Sequence, residues 1–247
     1  MLTTIKSLVH RVARRFGYDI TRYPPGGSLL RELQLLLAQL EITCVLDVGA
    51  HHGETGLKLR GLGYDGHIVS FEPLPESFRM LAAQCARDPK WKAYQMALGA
   101  VEGPVPINVL TPTGLSSLLP PTEQAAREFP LNMRVQRTEV VEVRRLDRVW
   151  DECTAGMRSP AIFLKTDTQG SDLQVIQGAS ERLREVRGLL IELAMRPLYT
   201  NVKPFADALA HLRNLGFEIT AFEALGRDSC RCVLELDCLM RRVSNGR

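Results

Sequence analysis

The chain has 247 residues, 45% of them apolar and 24% charged, which is the makeup of an ordinary globular domain with one substantial core. A net charge of +3, with basic residues scattered apart from short clusters at Arg14-Arg15, Arg144-Arg145 and Arg241-Arg242, argues against a nucleic-acid partner. The six cysteines form no C-x-x-C pair, so reduced thiols in a cytoplasmic compartment are expected. Cys230-Arg231-Cys232 is too isolated to read as a metal site.

Residues 1–18 carry Lys6, Arg11, Arg14 and Arg15, with no acid before Asp19. Ile5, Leu8, Val9, Val12 and Phe16 recur at helical spacing. Charges interrupt the apolar run, which speaks against a secretory signal. Three readings stay open: a helix docked on the edge of the fold, a helix lying on an anionic membrane surface, or a transit peptide. Tyr23-Pro24-Pro25-Gly26-Gly27 punctuates the chain, so residues 1–27 are read as leader and linker and 28–247 as the main domain.

Ser28 opens a helix with Leu29, Leu33, Leu36, Leu37 and Leu40 on one face. The run 44–49 is a buried strand, followed by a helix near 53–62, a second strand at 67–72 and a helix at 76–87. A third strand is expected over Trp91–Ala97. This β-α-β-α-β rhythm predicts a parallel sheet with right-handed crossovers. The middle breaks the rhythm: 105–110 and 139–146 alternate like strands around a mobile Pro/Ser/Thr-rich loop holding Gly114-Leu115-Ser116-Ser117. The sheet resumes with a strand at 161–167, a helix at 171–185, a strand at 188–193 and a helix at 204–215. Phe217–Leu225 and Cys232–Met240 follow with no helix between them, so they form an antiparallel hairpin. The predicted fold is α/β: a seven-stranded, mostly parallel, doubly wound Rossmann-like sheet ending in that hairpin.

Leu46-Asp47-Val48-Gly49-Ala50-His51-His52-Gly53 and Phe71-Glu72-Pro73 place a glycine turn after the first strand and a carboxylate at the end of the second. In such a sheet a nucleoside lies over the strand ends and the second carboxylate takes its ribose hydroxyls. The glycines stand as Gly49-x-x-x-Gly53 rather than G-x-G-x-x-G, which favours S-adenosylmethionine over a dinucleotide.

These segments resemble the FkbM-type S-adenosylmethionine-dependent methyltransferases over nearly the whole chain. Ala97-Leu98-Gly99, Ser116-Ser117-Leu118 and Arg145-Leu146-Asp147 match further short elements of that family. Leu164-Lys165-Thr166-Asp167-Thr168-Gln169-Gly170 with Val175-Ile176-Gln177-Gly178-Ala179 is similar to its K-x-D-x-E-G-x-E…L-x-G-A signature. Gln169 stands where glutamate is common and Asp172 replaces a second glutamate. The resemblance implies methylation of a hydroxyl oxygen, often on a sugar or polyketide-type product.

Asp47, Glu72, Asp167 and Glu192 lie at or near the carboxyl ends of four strands, where open sheets bind ligands. Asp47, Gly49, Gly53, Glu72 and Met96 are assigned to the cofactor, with Glu72 on the ribose, Asp47 near the ammonium end and Met96 beside the adenine. Asp47 could instead cap the following helix. Asp167 and Glu192 are the candidate catalytic pair, Asp167 orienting the acceptor or taking its proton. Strand alternation also allows Lys165 and Asp167 to form a structural ion pair, and Glu192 to be a buried structural carboxylate. His51 or His52 could serve as base, or a loop histidine could join Asp167 and Glu192 around a divalent cation, although no compact ligand motif is present and no metal is assigned. The expected acceptor is a small molecule, glycan or glycolipid, with possible peripheral membrane contact through residues 1–18. A catalytically silent binding module and a nicotinamide-dependent oxidoreductase are the competing readings.

Overall fold

The structure is a computed structural model that describes residues 2–18, 20 and 23–243, with side chains from Val9 onward. In chain order it comprises α1 (Leu2–Arg15), α2 (Leu29–Gln39), β1 (Cys44–Val48), α3 (Glu54–Gly61), β2 (His67–Phe71), α4 (Pro75–Cys85), β3 (Trp91–Tyr94), β4 (Ala97–Leu98) and β5 (Gly103–Val109). Then come α5 (Glu123–Glu128), β6 (Arg137–Arg144), α6 (Leu146–Cys153), β7 (Ile162–Thr166), α7 (Asp172–Gly178), β8 (Val186–Ala194), α8 (Phe205–Asn214), β9 (Phe217–Arg227) and β10 (Val233–Arg242).

Seven strands form one sheet in the order β3-β2-β1-β7-β8-β10-β9. β3, β2, β1, β7 and β8 run parallel, while β10 is antiparallel to both β8 and β9. Every residue of β1 and β7 is buried, as a parallel strand covered on both faces requires. On one face α2, α3 and α4 pack Leu33, Leu37, Leu59 and Leu81 against Val45, Ile68 and Phe163. On the other, α6, α7 and α8 bring Val149, Trp150, Val175, Ile176 and Leu212 onto Leu46, Leu164 and Ile191. Burying each such side chain contributes about 1.5–3 kcal/mol, so both helix layers are held by the sheet rather than by helix propensity. Ser28 starts α2 as expected, its hydroxyl accepting the Arg31 N–H at 3.3 Å.

The structure differs from the sequence expectation in several details. The third strand ends at Tyr94. Ala97 and Leu98 leave the main sheet and pair with β6, which with β5 makes a second sheet of order β4-β6-β5. The helix expected over 171–185 stops at Gly178, where a Cβ would meet the Gly99 carbonyl oxygen at 2.0 Å; a short 3-10 turn follows at Leu183–Glu185. Finally, α6 is an additional helix. Leu146, Val149, Trp150 and Cys153 form one buried stripe along it.

The stretch between β5 and β6 is tied down rather than loose. Asn108 bridges Ser117, Pro121 bridges Tyr199, and the Tyr199 hydroxyl donates to the Leu115 carbonyl at 2.6 Å. A small apolar cluster including Leu110, Ala125, Met133, Leu198 and Tyr199 fills the space beneath. In the leader, α1 forms over the expected segment, and Val9, Val12 and Phe16 remain exposed. The apolar positions Ile5 and Leu8 lie outside the described side chains. No helix among the described residues is long and apolar enough to cross a membrane.

Candidate active site

A cleft of about 270 Å³ opens at the carboxyl ends of β1, β2 and β7, under the second sheet. Of the residues expected at the site, Gly49, Glu72, Met96 and Asp167 line it, joined by His51, Lys165, Ser117 and Gln169. Asp47 and Gly53 stand behind its wall, and Glu192 borders a neighbouring cavity.

Glu72 follows β2 directly and is 5% exposed. Its two carboxylate oxygens accept one backbone N–H each, from His51 and from Leu74, both at 2.9 Å. Burial pushes its pKa up to about 7, and those two N–H groups hold the rise in check. A carboxylate fixed in this way keeps lone pairs free toward the cleft, which suits hydroxyl donors.

Asp47 is fully buried in the middle of the sheet. It pairs with Lys165 Nζ at 3.1 Å and accepts the Ser70 hydroxyl at 3.3 Å. Lys165 also donates to the Gly49 carbonyl at 3.1 Å and faces Asp167 at 3.7 Å. Burial alone would lower the Lys165 pKa, but the carboxylates of Asp47 and Asp167 outweigh it and hold the ammonium protonated. One buried cation therefore ties the first glycine turn to the end of β7. The expected Lys165–Asp167 ion pair is present, with Asp47 as its closer partner.

Gly49 has φ +76°, and a Cβ there would sit 1.9 Å from the Asp167 carbonyl oxygen. It allows two strand ends to meet. Gly53 has φ +91°, and a Cβ on it would press on Leu81 and Trp91 at 3.1 Å. Its glycine requirement comes from that left-handed backbone and from close packing against α4 and β3.

Asp167 is the most open carboxylate of this group, its side chain 43% exposed. Gln169 Nε2 donates to its Oδ1 at 2.8 Å. Gln169 is itself held from two sides. Its carbonyl accepts the Ser117 hydroxyl at 2.7 Å, and its Oε1 lies 3.2 Å from the Tyr199 hydroxyl. The backbone at Gln169 has φ +53°, an uncommon left-handed conformation for a side-chain-bearing residue. The amide thus serves Asp167 as a neutral donor, a task for which a glutamate would need a proton.

Glu192 does not share the first cleft. It belongs to a carboxyl group cluster with Glu235, Asp237 and Asp172, and its pKa is raised well above the usual range by burial and then by Asp167. Sequence reasoning missed the role of Tyr199, the Asp47–Lys165 pairing and the part played by Ser117 in orienting Gln169. Ser116-Ser117-Leu118 is a short match along the chain, but nothing in its spacing shows that Ser117 and Tyr199 meet at Gln169. Among the described residues, the group that could converge on a cation is His51, His52 and Glu54; Asp167 and Glu192 are not in it. The His51 and His52 rings stack with centroids 3.6 Å apart. His51 Nδ1 is 3.1 Å from Glu54, and its Nε2 is 2.9 Å from the Thr113 hydroxyl.

A parallel sheet closed by an antiparallel hairpin, with a buried carboxylate after its second strand facing an open cleft, defines the Rossmann-like methyltransferase class. More narrowly, the chain belongs to the methyltransferase FkbM domain family, whose model matches residues 47–219. The methyl donor is S-adenosylmethionine. The chain is 27% identical over 196 residues to methyltransferase sdnD of Sordaria araneosa, covering 71% of this chain and 74% of that protein. Among solved structures it is similar to an rRNA methylase from Streptococcus thermophilus at 8% identity and TM-score 0.45, covering 88% of this chain and 98% of that one. It also overlaps Streptococcus pneumoniae Sp1610 in complex with S-adenosyl-L-methionine at 12% identity and TM-score 0.43, covering 87% and 74%. No functional weight attaches to structural overlaps of this size. Family membership sets the nicotinamide reading aside.

Proposed function

We propose that this methyltransferase transfers the methyl group to a hydroxyl oxygen of a sugar, glycolipid or related secondary metabolite, with Asp167 at the reacting end of the cleft. The observation that carries this reading is the position of Asp167: open to the cleft that Glu72 borders, and oriented by Gln169.

The cleft suits the donor by the chemistry of its walls. Glu72 would take the ribose hydroxyls. Met96, Ala97 and Leu98 offer an apolar strip for the adenine, and the Gly49–His51 turn closes the other side. Asp47 contributes indirectly, by holding Lys165 and through it the Gly49 carbonyl. When bound, the donor supplies an electrophilic methyl on a sulfonium. The protein has to place the acceptor oxygen in line with it and remove the hydroxyl proton. Asp167 accepts that proton at the oxygen that Gln169 leaves free. Lys165 steadies the carboxylate, and the Gln169 amide fixes its plane.

The acceptor is read as a small molecule or glycan and not nucleic acid, because the net charge is only +3 and the basic residues are scattered along the sequence apart from short clusters. Residues 1–18 are proposed to rest on the membrane surface. Val9, Val12 and Phe16 are exposed beside Arg11, Arg14 and Arg15, the pairing an anionic interface attracts. Both points have direct tests. The first is incubation of lipid, polysaccharide and RNA fractions with methyl-labelled donor. Label is expected in a base-stable ether on the lipid or glycan fraction, and label in RNA alone would refute the acceptor class. The second is flotation with anionic vesicles, which should carry the full chain and lose it on Val12→Asp with Phe16→Asp.

A further inference from the structure

A second cavity, of about 490 Å³, opens past the end of β8 and between α7 and α8. Gln169 lines the first cleft, while Gly170 and Tyr199 line the second, so the two share the Gln169–Gly170 turn as a wall.

The chemistry of this cavity is one-sided. Asp172, Glu192 and Glu235 all border it. β10 pairs with β8 so that Asp237 lies opposite Glu192 and Glu235 opposite Ala194, which puts Glu192, Glu235 and Asp237 on one face. Burial pushes Glu235 up to about 7 despite its hydrogen bond with Glu192, and it pushes Asp172 up to about 6 with the help of Asp167. The buried Lys165 acts on this group but is engaged by Asp47. Lys203 and His211 also border the cavity, Lys203 at the exposed surface.

Two acceptors on residues that border this space lack donors. Asp172 is 3% exposed; its Oδ1 takes the Thr168 N–H at 3.3 Å, and its Oδ2 has no hydrogen-bond partner. The Thr166 hydroxyl tempers the rise in the Asp172 pKa but is itself without a hydrogen-bond partner. Gln174 Oε1 is buried and unpaired as well. Leu173, Ile176, Leu198 and Val202 form apolar wall around these groups. A buried acceptor left without a donor is costly, and a ligand that brings donors removes the cost.

We propose that this second cavity holds the body of the methyl acceptor, and that the acceptor carries a protonated amine beside its hydroxyls, as an amino sugar does. This inference rests on the acceptor reading above and narrows it. The ammonium sits at Glu192 and Glu235 and lets both carboxyls ionise together. The hydroxyls of the ring lie toward Asp172 and Gln174, and its C–H face lies on Leu173 and Ile176. The hydroxyl to be methylated projects past Gly170 toward Asp167. A neutral sugar leaves the carboxyl cluster uncompensated, and an acidic one is repelled by it.

The test uses the full chain saturated with S-adenosylhomocysteine, with its Ile and Leu methyls labelled for NMR and titrated with glucosamine or with glucose. Glucosamine is expected to shift Ile176, Leu173 and Leu198 and to bind at least tenfold more tightly than glucose. Glu235→Gln should bring that ratio close to one while S-adenosylhomocysteine still binds normally. Equal binding of the two sugars, absence of shifts at those methyls, or an unchanged ratio in Glu235→Gln would overturn the proposal. If the variant does not fold, the wild-type pair of titrations decides alone. Failure of S-adenosylhomocysteine to bind would count against the methyltransferase reading instead. Normal S-adenosylhomocysteine binding without an amine preference would sink this inference only.

Discussion

Gly49 and Asp167 lie so close that a single methyl on Gly49 would come within 1.9 Å of the Asp167 carbonyl oxygen. The turn after β1 and the end of β7 are therefore one unit, with Lys165 hydrogen-bonded to the first and ion-paired to the second. A change on the donor side of the cleft moves the residue assigned to the acceptor.

Gly49→Ala should destabilise the protein by about 3 kcal/mol, combining positive-φ strain with a backbone clash. For a domain of this size that is a fall in Tm of about 6–12 °C. Thermal unfolding reads it directly, and a melting point within 2 °C of wild type would show that the two strand ends are not locked together.

The Asp47–Lys165 pair makes a prediction about coupling. Lys165→Met alone leaves a buried carboxylate without its cation and should cost about 3–5 kcal/mol. Adding Asp47→Leu to it should recover much of that loss, because no charge is then stranded in the sheet. Denaturant titration of the two singles and the double gives the coupling energy. Additive losses would mean that the pair is not interacting as its 3.1 Å separation requires.

Glu72 gives the site a pH dependence. Its carboxyl is held at about 7 by burial, so in the donor-free protein it is protonated in weak acid and ionised above that pH. An acid raised in the folded state supports stability below its unfolded pKa of about 4.3 and loses that support as pH climbs through about 7. Ribose hydroxyls donate to the ionised form, so donor binding should release a proton at pH 6. Affinity should rise toward pH 7 and then level off. Calorimetry at pH 6 in buffers of different ionisation heat counts the proton, and zero or net uptake would contradict this role.

Asp167→Asn should keep donor affinity and lower turnover by at least about 100-fold, the lower range for loss of a general base. Gln169→Glu removes the amide donor 2.8 Å from Asp167 and puts a second carboxyl in its place. Like charges raise each other's pKa, so the acidic limb of the pH–rate profile should move to higher pH. Unchanged turnover in Asp167→Asn would leave it a structural partner of Lys165.

The parallel core was legible because β1 and β7 are short, mostly apolar runs followed by glycine turns and the hairpin lacks a helix between its strands. The positions of Glu72 and Asp167 at the cleft were legible because open α/β sheets form their crevice at the carboxyl ends of the strands. The errors came where tertiary contact decides. Nothing between Tyr94 and Ala97 marks a change of sheet; pairing of Ala97 and Leu98 with β6, distant in sequence, imposes it. Gly178 at the end of α7 leaves room for the Gly99 carbonyl, which a Cβ there would meet at 2.0 Å, a close approach invisible along the chain. The helix α6 was readable, since Leu146, Val149, Trp150 and Cys153 follow the i, i+3, i+4, i+7 period and the preceding strand pattern obscured it. The place of Glu192 in a second cavity depends on β10 lying beside β8, which a chain-order reading leaves open.

The central claim is that Glu72 holds the sugar of the methyl donor in the first cleft. Titration calorimetry of S-adenosylmethionine into wild-type protein and Glu72→Gln tests it most directly. The expected result is saturable one-to-one binding to wild type and a loss of at least about tenfold in Glu72→Gln, as for charge-assisted hydrogen bonds to two hydroxyls. Equal affinity in the two proteins, with Glu72→Gln still folded by its melting curve, would contradict it.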